Sequence, residues 1–350
     1  MKIGVLSPTT IQFVEKMAAL FPGQPVTVVG PANNDQWGWN KYERRAEEWR
    51  EAGLKVEFDL RPYSAIDFSG LDVLVETFET LGLEPTWREH CGRYECPTIV
   101  KACWTRAPAD FCTEEYFNKT KELPIFLEMP AHLRHWEMSG FTDVSLVFNP
   151  VGQWWFDTPW TGADERAVMV LSGKDQWREK AHHGLDLVDR LNQDFPGRIH
   201  IHDGLVDYKS SQDMSRMLAG ARIFLALDEP YGQGERPLSL VFTEALSVGC
   251  PVAARDLPGL SYKDYIQGNG VATNDYPTLR DMVGRCLNDF EFARACSMAS
   301  RRLAEETFSL RALQPVYLAA FERAVAAWRE RDAGSRRTVR RSRLWRLAKE

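Results

Sequence analysis

The sequence predicts an α/β chain made of two Rossmann-like halves, each a parallel sheet with helices on both faces. Three observations predict it. Short apolar, β-branched segments alternate with amphipathic, charged ones along most of the chain. That pattern is interrupted by a Pro-, Gly- and Trp-rich stretch, NPVGQWWFDTPWTG, and then restarts. The 350 residues, 44% apolar and 26% charged, suit two globular domains of ordinary size.

In the first half Lys2–Ser7 reads as a short buried strand with turn chemistry at Pro8, and Thr10–Phe21 has helical spacing. Pro25–Val29 is a second strand ending at Gly30-Pro31, and Trp37–Ala52 is an amphipathic helix stopped by Gly53. Leu54–Leu60, Leu71–Glu76, Pro97–Lys101, Ile125–Phe126 and Val144–Phe148 are further strands. After Trp160 come strands at Ala167–Ser172, Arg198–His202, Ala221–Leu227, Pro251–Ala254 and Gly270–Ala272. The helices among them are His183–Phe195, Leu240–Val248 and Tyr276–Asn288. A last helix, about Leu310 to Arg329, repeats apolar residues at three and four (Leu313, Val316, Tyr317, Ala320, Phe321, Val325, Trp328), so one face is buried, back across the domain boundary. The expected division is 1–155, 156–309, the crossing helix 310–330 and a tail 331–350.

Composition narrows the function classes. No apolar run approaches the roughly 20 residues that span a bilayer. MKIGVLSP has one Lys and no long apolar stretch before a cleavage-like site, so it reads as a strand and not a secretory leader; both points indicate a cytoplasmic protein. Seven cysteines (Cys91, Cys96, Cys103, Cys112, Cys250, Cys286, Cys296) at irregular spacing fit reduced thiols better than a disulfide framework. A zinc site on His90, Cys91 and Cys96 lacks the paired C-x-x-C that would complete it, so no metal is expected. The net charge is -6, but residues 336–350 hold seven basic residues and one acidic. An acidic body with a basic end argues against a nucleic-acid surface. The tail, RRTVRRSRLWRLAK, reads either as a solvated segment or as a strip for an anionic membrane surface on the inner face.

The most informative stretch is GERPLSLVFTEALSVGCPVAARDLPG, residues 234–259. A helix opening near Pro237, Leu238, Ser239 and Leu240 turns free N–H groups and its positive dipole end toward an anion. Glu244 lies about one and a half turns into that helix. Upstream, AVMVLSGKDQWREKAHHGLDL places Gly173, Lys174 and Lys180 between a strand and a helix, and IHIHDG leads into Gly204 and Leu205. In this order the segments resemble the donor site of retaining glycosyltransferases of the GT-B fold, the group 1 or E-x7-E type, over about Asp143 to Ala326. That resemblance implies two Rossmann-like domains facing a central cleft, with a C-terminal helix crossing back to the first. It also implies Lys174 and Lys180 on the leaving diphosphate, Glu244 on the ribose, Gly204 and Leu205 near the base, and Gly173 and residues 237–240 lining the donor. The family's first Glu falls on Arg236, with Glu235 one residue earlier, so either side chain contacts the donor sugar or phosphate.

The expectation is a hexosyltransferase that moves a sugar with retention from a UDP- or GDP-sugar to an acceptor hydroxyl, in cell-surface glycan or glycolipid synthesis, without metal or cofactor. The nucleotide-sugar is a substrate. The first half departs from the family: Pro8-Thr9-Thr10 replaces the Gly-rich turn, and Cys103, Trp104 and Thr105 stand where a histidine is usual. The acceptor site is therefore unknown. Two other readings stay open, a sugar-nucleotide epimerase and a non-catalytic binding protein on the same scaffold. A dehydrogenase lacks its G-x-G-x-x-G. His182-His183 and His200/His202 read as helix cap and strand alternation before catalysis. The Trp cluster at 154, 155 and 160, with Trp37 and Trp39, reads as packing before sugar platform.

Overall fold

The computed structural model describes residues 1–6, 11–30, 42–62, 65–77, 96–102, 118, 121–127, 130–171, 184–204, 206–207, 209–227, 238–256 and 261–347. Two parallel sheets organise them. The first contains β1 (Ile3–Leu6), β2 (Val26–Val29), β3 (Val56–Asp59), β4 (Val73–Thr77), β5 (Thr98–Ala102), β6 (Ile125–Leu127) and β7 (Val144–Leu146), in the order β3-β2-β1-β4-β5-β6-β7. The second contains β8 (Asp164–Leu171), β9 (Ile199–Asp203), β10 (Ala221–Ala226), β11 (Val252–Ala254) and β12 (Gly270–Ala272), in the order β12-β11-β10-β8-β9. Every strand named in the sequence is present, and each sheet reverses direction once, at β1/β4 and at β8/β10. In such sheets ligands bind beyond the carboxyl ends of the strands at the reversal.

Helices cover the sheets. They are α1 (Ile11–Leu20), α2 (Tyr42–Glu51), α3 (Pro130–Met138), α4 (Gln153–Phe156), α5 (Leu185–Asp194), α6 (Ser211–Gly220), α7 (Leu240–Val248), α8 (Tyr276–Asn288), α9 (Phe290–Thr307) and α10 (Leu310–Leu347). The apolar positions of α1, Val14, Met17, Ala18 and Leu20, join Ile3, Val5, Val28, Val73 and Val75 in one buried cluster. Leu313, Tyr317, Ala320, Phe321 and Ala324 of α10 complete it, so the last helix of the chain packs on the first sheet. The Tyr317 hydroxyl donates to the Phe148 carbonyl (3.1 Å), and Gln314 Nε2 donates to the Leu20 carbonyl (2.8 Å). Val316, expected on the buried stripe, is 41% exposed, because the side that packs runs through positions 313, 317, 320, 321 and 324.

Three features differ from the sequence reading. The final helix does not stop near Arg329 but continues to Leu347, since residues 330–347 contain no proline and are rich in Arg, a good helix former. Helix α9 has no counterpart in that reading. Asp289 closes α8 and caps α9 by accepting from the Phe292 N–H (3.0 Å), so one residue makes the corner with neither Gly nor Pro to mark it. The Trp-rich connection is packed into the second domain: Val151, Trp155 and Phe156 lie in its core, and the Val151 N–H donates to the Phe308 carbonyl (2.8 Å).

Candidate functional site

The β8/β10 reversal is built from chain segments that each need a particular backbone. Gly184 opens α5 with φ +64°, and a Cβ there would lie 2.4 Å from the Leu227 carbonyl oxygen just past β10. Only glycine meets both demands. Residues 172–183 form the segment between Leu171, at the end of β8, and Gly184. That segment contains Gly173, Lys174 and Lys180, which lie outside the described residues, as do Leu205, Glu235, Arg236 and Pro237. Gly204 is described: its N–H donates to the Leu171 carbonyl (3.2 Å), tying the turn after β9 to the end of β8.

Helix α7 begins at the sheet's carboxyl edge. Ser239 is its N-cap, with an extended backbone and a hydroxyl that accepts from the Phe242 N–H (3.2 Å). The Phe242 and Thr243 amides bond back to the Ser239 carbonyl, leaving the amides of Leu240 and Val241 in the first turn without an intrahelical acceptor. Leu238 is buried just before the cap and Leu240 is half-buried just after it. Residues 242–248 are all buried, so α7 is a core helix that carries one acid, Glu244. Gly249 ends it at φ +89°, with its N–H on the Ala245 and Leu246 carbonyls.

Glu244 is 8% exposed and faces α1 of the first domain. Its Oε1 lies 3.5 Å from the Nζ of Lys16, a side chain buried as completely as any leucine in the core. One residue earlier, Glu15 accepts from Trp49 Nε1 (2.8 Å) and from the hydroxyl of Ser211 (3.4 Å), the first residue of α6. Helix α1 thus touches α6 and α7 of the second domain through two adjacent charged side chains. Neither Glu15 nor Lys16 was among the residues that sequence reasoning selected. The available signal was FVEKMAAL, a Glu-Lys pair set inside an otherwise apolar helix turn.

Other buried polar groups gather at the carboxyl edge of the first sheet. Glu76 is the next-to-last residue of β4, at the reversal, and Lys101 near the end of β5 donates to Asn149 Oδ1 in the connection between domains. On β9, His202 is buried with Nδ1 3.7 Å from Asp207 and Nε2 without a hydrogen-bond partner among the described residues. Burial, then Lys209, pushes its imidazole below the ordinary histidine range, and burial does the same to His200. His182 and His183 lie outside the described residues, as do Trp37, Trp39, His90 and Cys91. Trp155 is core, and Trp160 donates to the Ala221 carbonyl (2.7 Å) and stacks on Phe290 (5.5 Å), so both are packing residues. Among the described residues no group of His, Cys, Asp and Glu side chains converges as a metal site.

No protein-family model matches the chain, and no curated protein matches it by sequence. Solved structures do match. HepE from Anabaena, in complex with UDP and glucose, is 12% identical over 92% of this chain and 99% of its own, with a TM-score of 0.62. A glycosyltransferase from Rickettsia africae is 12% identical over 93% of this chain and 98% of its own, TM-score 0.61. Sucrose-phosphate synthase from Thermosynechococcus elongatus is 13% identical over 93% of this chain and all of its own, TM-score 0.57. Such likenesses run the length of both chains and concern architecture: a seven-stranded and a five-stranded parallel sheet joined by a packed connection and a returning final helix. The chain has the GT-B fold.

Proposed function

We propose that this protein is a glycosyltransferase that moves a sugar from a nucleotide-sugar donor to an acceptor hydroxyl, with retention. The observation that carries the reading is that the α7 N-terminus, Glu244 and Gly184 all stand at one sheet reversal. Two facts support a nucleotide there: that edge is where doubly wound sheets hold nucleotides, and HepE of the same fold is described with UDP and UDP-glucose.

In this reading Glu244 accepts the ribose hydroxyls, Gly204 and Leu205 line the base, and Gly173 and residues 237–240 face the diphosphate. Lys174 and Lys180 neutralise the charge that grows on the nucleoside diphosphate as the glycosidic bond breaks. Glu235 or Arg236 contacts the donor sugar or its phosphate. Retention follows from a front-face course in which the departing phosphate takes the acceptor's proton, and no metal or cofactor is required. The acceptor is a glycan, a glycolipid or a small molecule bound on the first domain. Cytoplasmic placement, with the basic end of α10 on an anionic membrane surface, belongs to the same proposal; among the described residues no helix is long and apolar enough to cross a membrane.

The test is a panel of UDP-, GDP-, ADP- and dTDP-sugars, read as nucleotide release and thermal shift, for the wild type, Glu244→Ala and Lys174→Ala. One donor should stabilise the wild type and be turned over faster with acceptor present, and both variants should lose it. Binding without release of nucleotide would point to a non-catalytic scaffold, and conversion of the sugar without an acceptor to an epimerase. Absence of binding by every donor would remove the proposal.

A further inference from the structure

Lys16 is an unusual residue to find in a core. Its side chain is 1% exposed, on a helix whose other inward positions are Val14, Met17, Ala18 and Leu20. An ammonium brings three N–H donors and no acceptor. Among the described residues none of the three has a hydrogen-bond partner, and the one anionic neighbour is Glu244 Oε1 at 3.5 Å. Buried donors left unmade are costly, more so when they carry charge. The cost falls at one place, directly opposite the acid of α7, and it is supplied by the other domain.

The chemistry of the pair names what fits against it. A carboxylate only accepts hydrogen bonds and an ammonium only donates them. A hydroxyl does both: its proton goes to the carboxylate and its lone pairs take an N–H from the ammonium. We infer that Lys16 is a donor-site residue contributed by the first domain, whose ammonium donates to the oxygens of the same sugar diol that donates to Glu244. This rests on the nucleotide reading of the site and extends it. The ribose then sits against helices α1 and α7 at once, so the two domains are held together by the ligand as well as by each other. A phosphate oxygen also accepts from an ammonium, but it cannot donate to Glu244.

The experiment is calorimetric titration of the full chain with UDP, GDP and ADP and with the 2′-deoxy and 3′-deoxy forms of whichever binds. The wild type, Lys16→Met, Lys16→Gln and Glu244→Gln are compared, with the melting temperature of each recorded unliganded. The wild type should bind the ribonucleotide about tenfold or more tightly than at least one deoxy form. Lys16→Met and Lys16→Gln should bind the ribonucleotide as weakly as the deoxy form, and in turnover the donor KM should rise while kcat changes less. If Lys16→Met is too unstable to titrate, Lys16→Gln, uncharged but polar, carries the same readout. Full discrimination retained by the Lys16 variants overturns the inference. So does a loss of affinity equal for ribo and deoxy forms, which would place Lys16 on phosphate. Absence of binding of all three diphosphates by the wild type is a different result, the failure of the nucleotide reading itself.

Discussion

At the scale of single residues, a buried ion pair is a poor source of stability but an expensive thing to break. Lys16→Met removes the buried cation that faces Glu244, and chemical denaturation should show a loss of about 3–5 kcal/mol. Replacing Lys16 and Glu244 together, with Met and Leu, should recover most of it, because desolvation of both charges is removed at once. Gly184 answers to sterics instead. Alanine there must hold φ +64° and place its Cβ against the Leu227 carbonyl, so Gly184→Ala should cost at least about 1–3 kcal/mol by the same measurement. His202 sets a pH dependence. Its folded pKa lies below the ordinary value of 6.5 because burial disfavours the charged ring. The unfolded chain takes up a proton first as pH falls through about 6.5, so stability is complete above that pH and declines below it. His200 acts in the same direction. Stability measured from pH 7.5 to 5 should fall, and His202→Gln should flatten the slope.

At the scale of elements, the sheets were legible because parallel strands buried on both faces read as continuous Val, Ile and Leu runs. The ends of α7 follow the chemistry of helix ends: Ser239 caps its start and Gly249 its finish. Ser239→Ala should cost about 1 kcal/mol in an urea titration and leave α7 otherwise intact. Helix α9 was illegible because a single Asp289 ends one helix and begins the next, and no breaker residue marks the corner. The extent of α10 was hidden by composition, since a run of arginines describes a disordered tail and a solvated helix equally well. The ion pair between Lys16 and Glu244 was not legible, because the two residues lie more than two hundred positions apart in sequence. The basic end of α10 makes its own prediction. The full chain should sediment with phosphatidylserine vesicles at low salt and be released at high salt, whereas a chain truncated after Glu330 should stay in solution.

At the scale of the whole molecule, the two domains are tied by more than their connection. Helix α10, about 57 Å long at 1.5 Å per residue, starts beside the second domain and buries Tyr317 and Phe321 in the core of the first. Tyr317 meets Phe126 edge to face with ring centres 5.2 Å apart, and Phe21 stacks on Phe321 at 5.1 Å. Tyr317→Ala should therefore lower stability by about 3–5 kcal/mol, and hydrogen exchange should locate the loss in strands β1, β4 and β5, far away in sequence. The same packing governs the order in which the protein can be made. The last strand of the first sheet is synthesised once residue 146 is joined, yet the helix that seals the sheet is complete only after residue 324. About 180 residues separate the two, on the order of ten to thirty-five seconds of synthesis at roughly 5–20 residues per second. Through that interval the face formed by Ile3, Val73, Ile99 and Phe126 is open to water and to other nascent chains. The emerging protein is thus a client for whatever shields apolar surface beside the ribosome, and its first-made half is the last to finish folding.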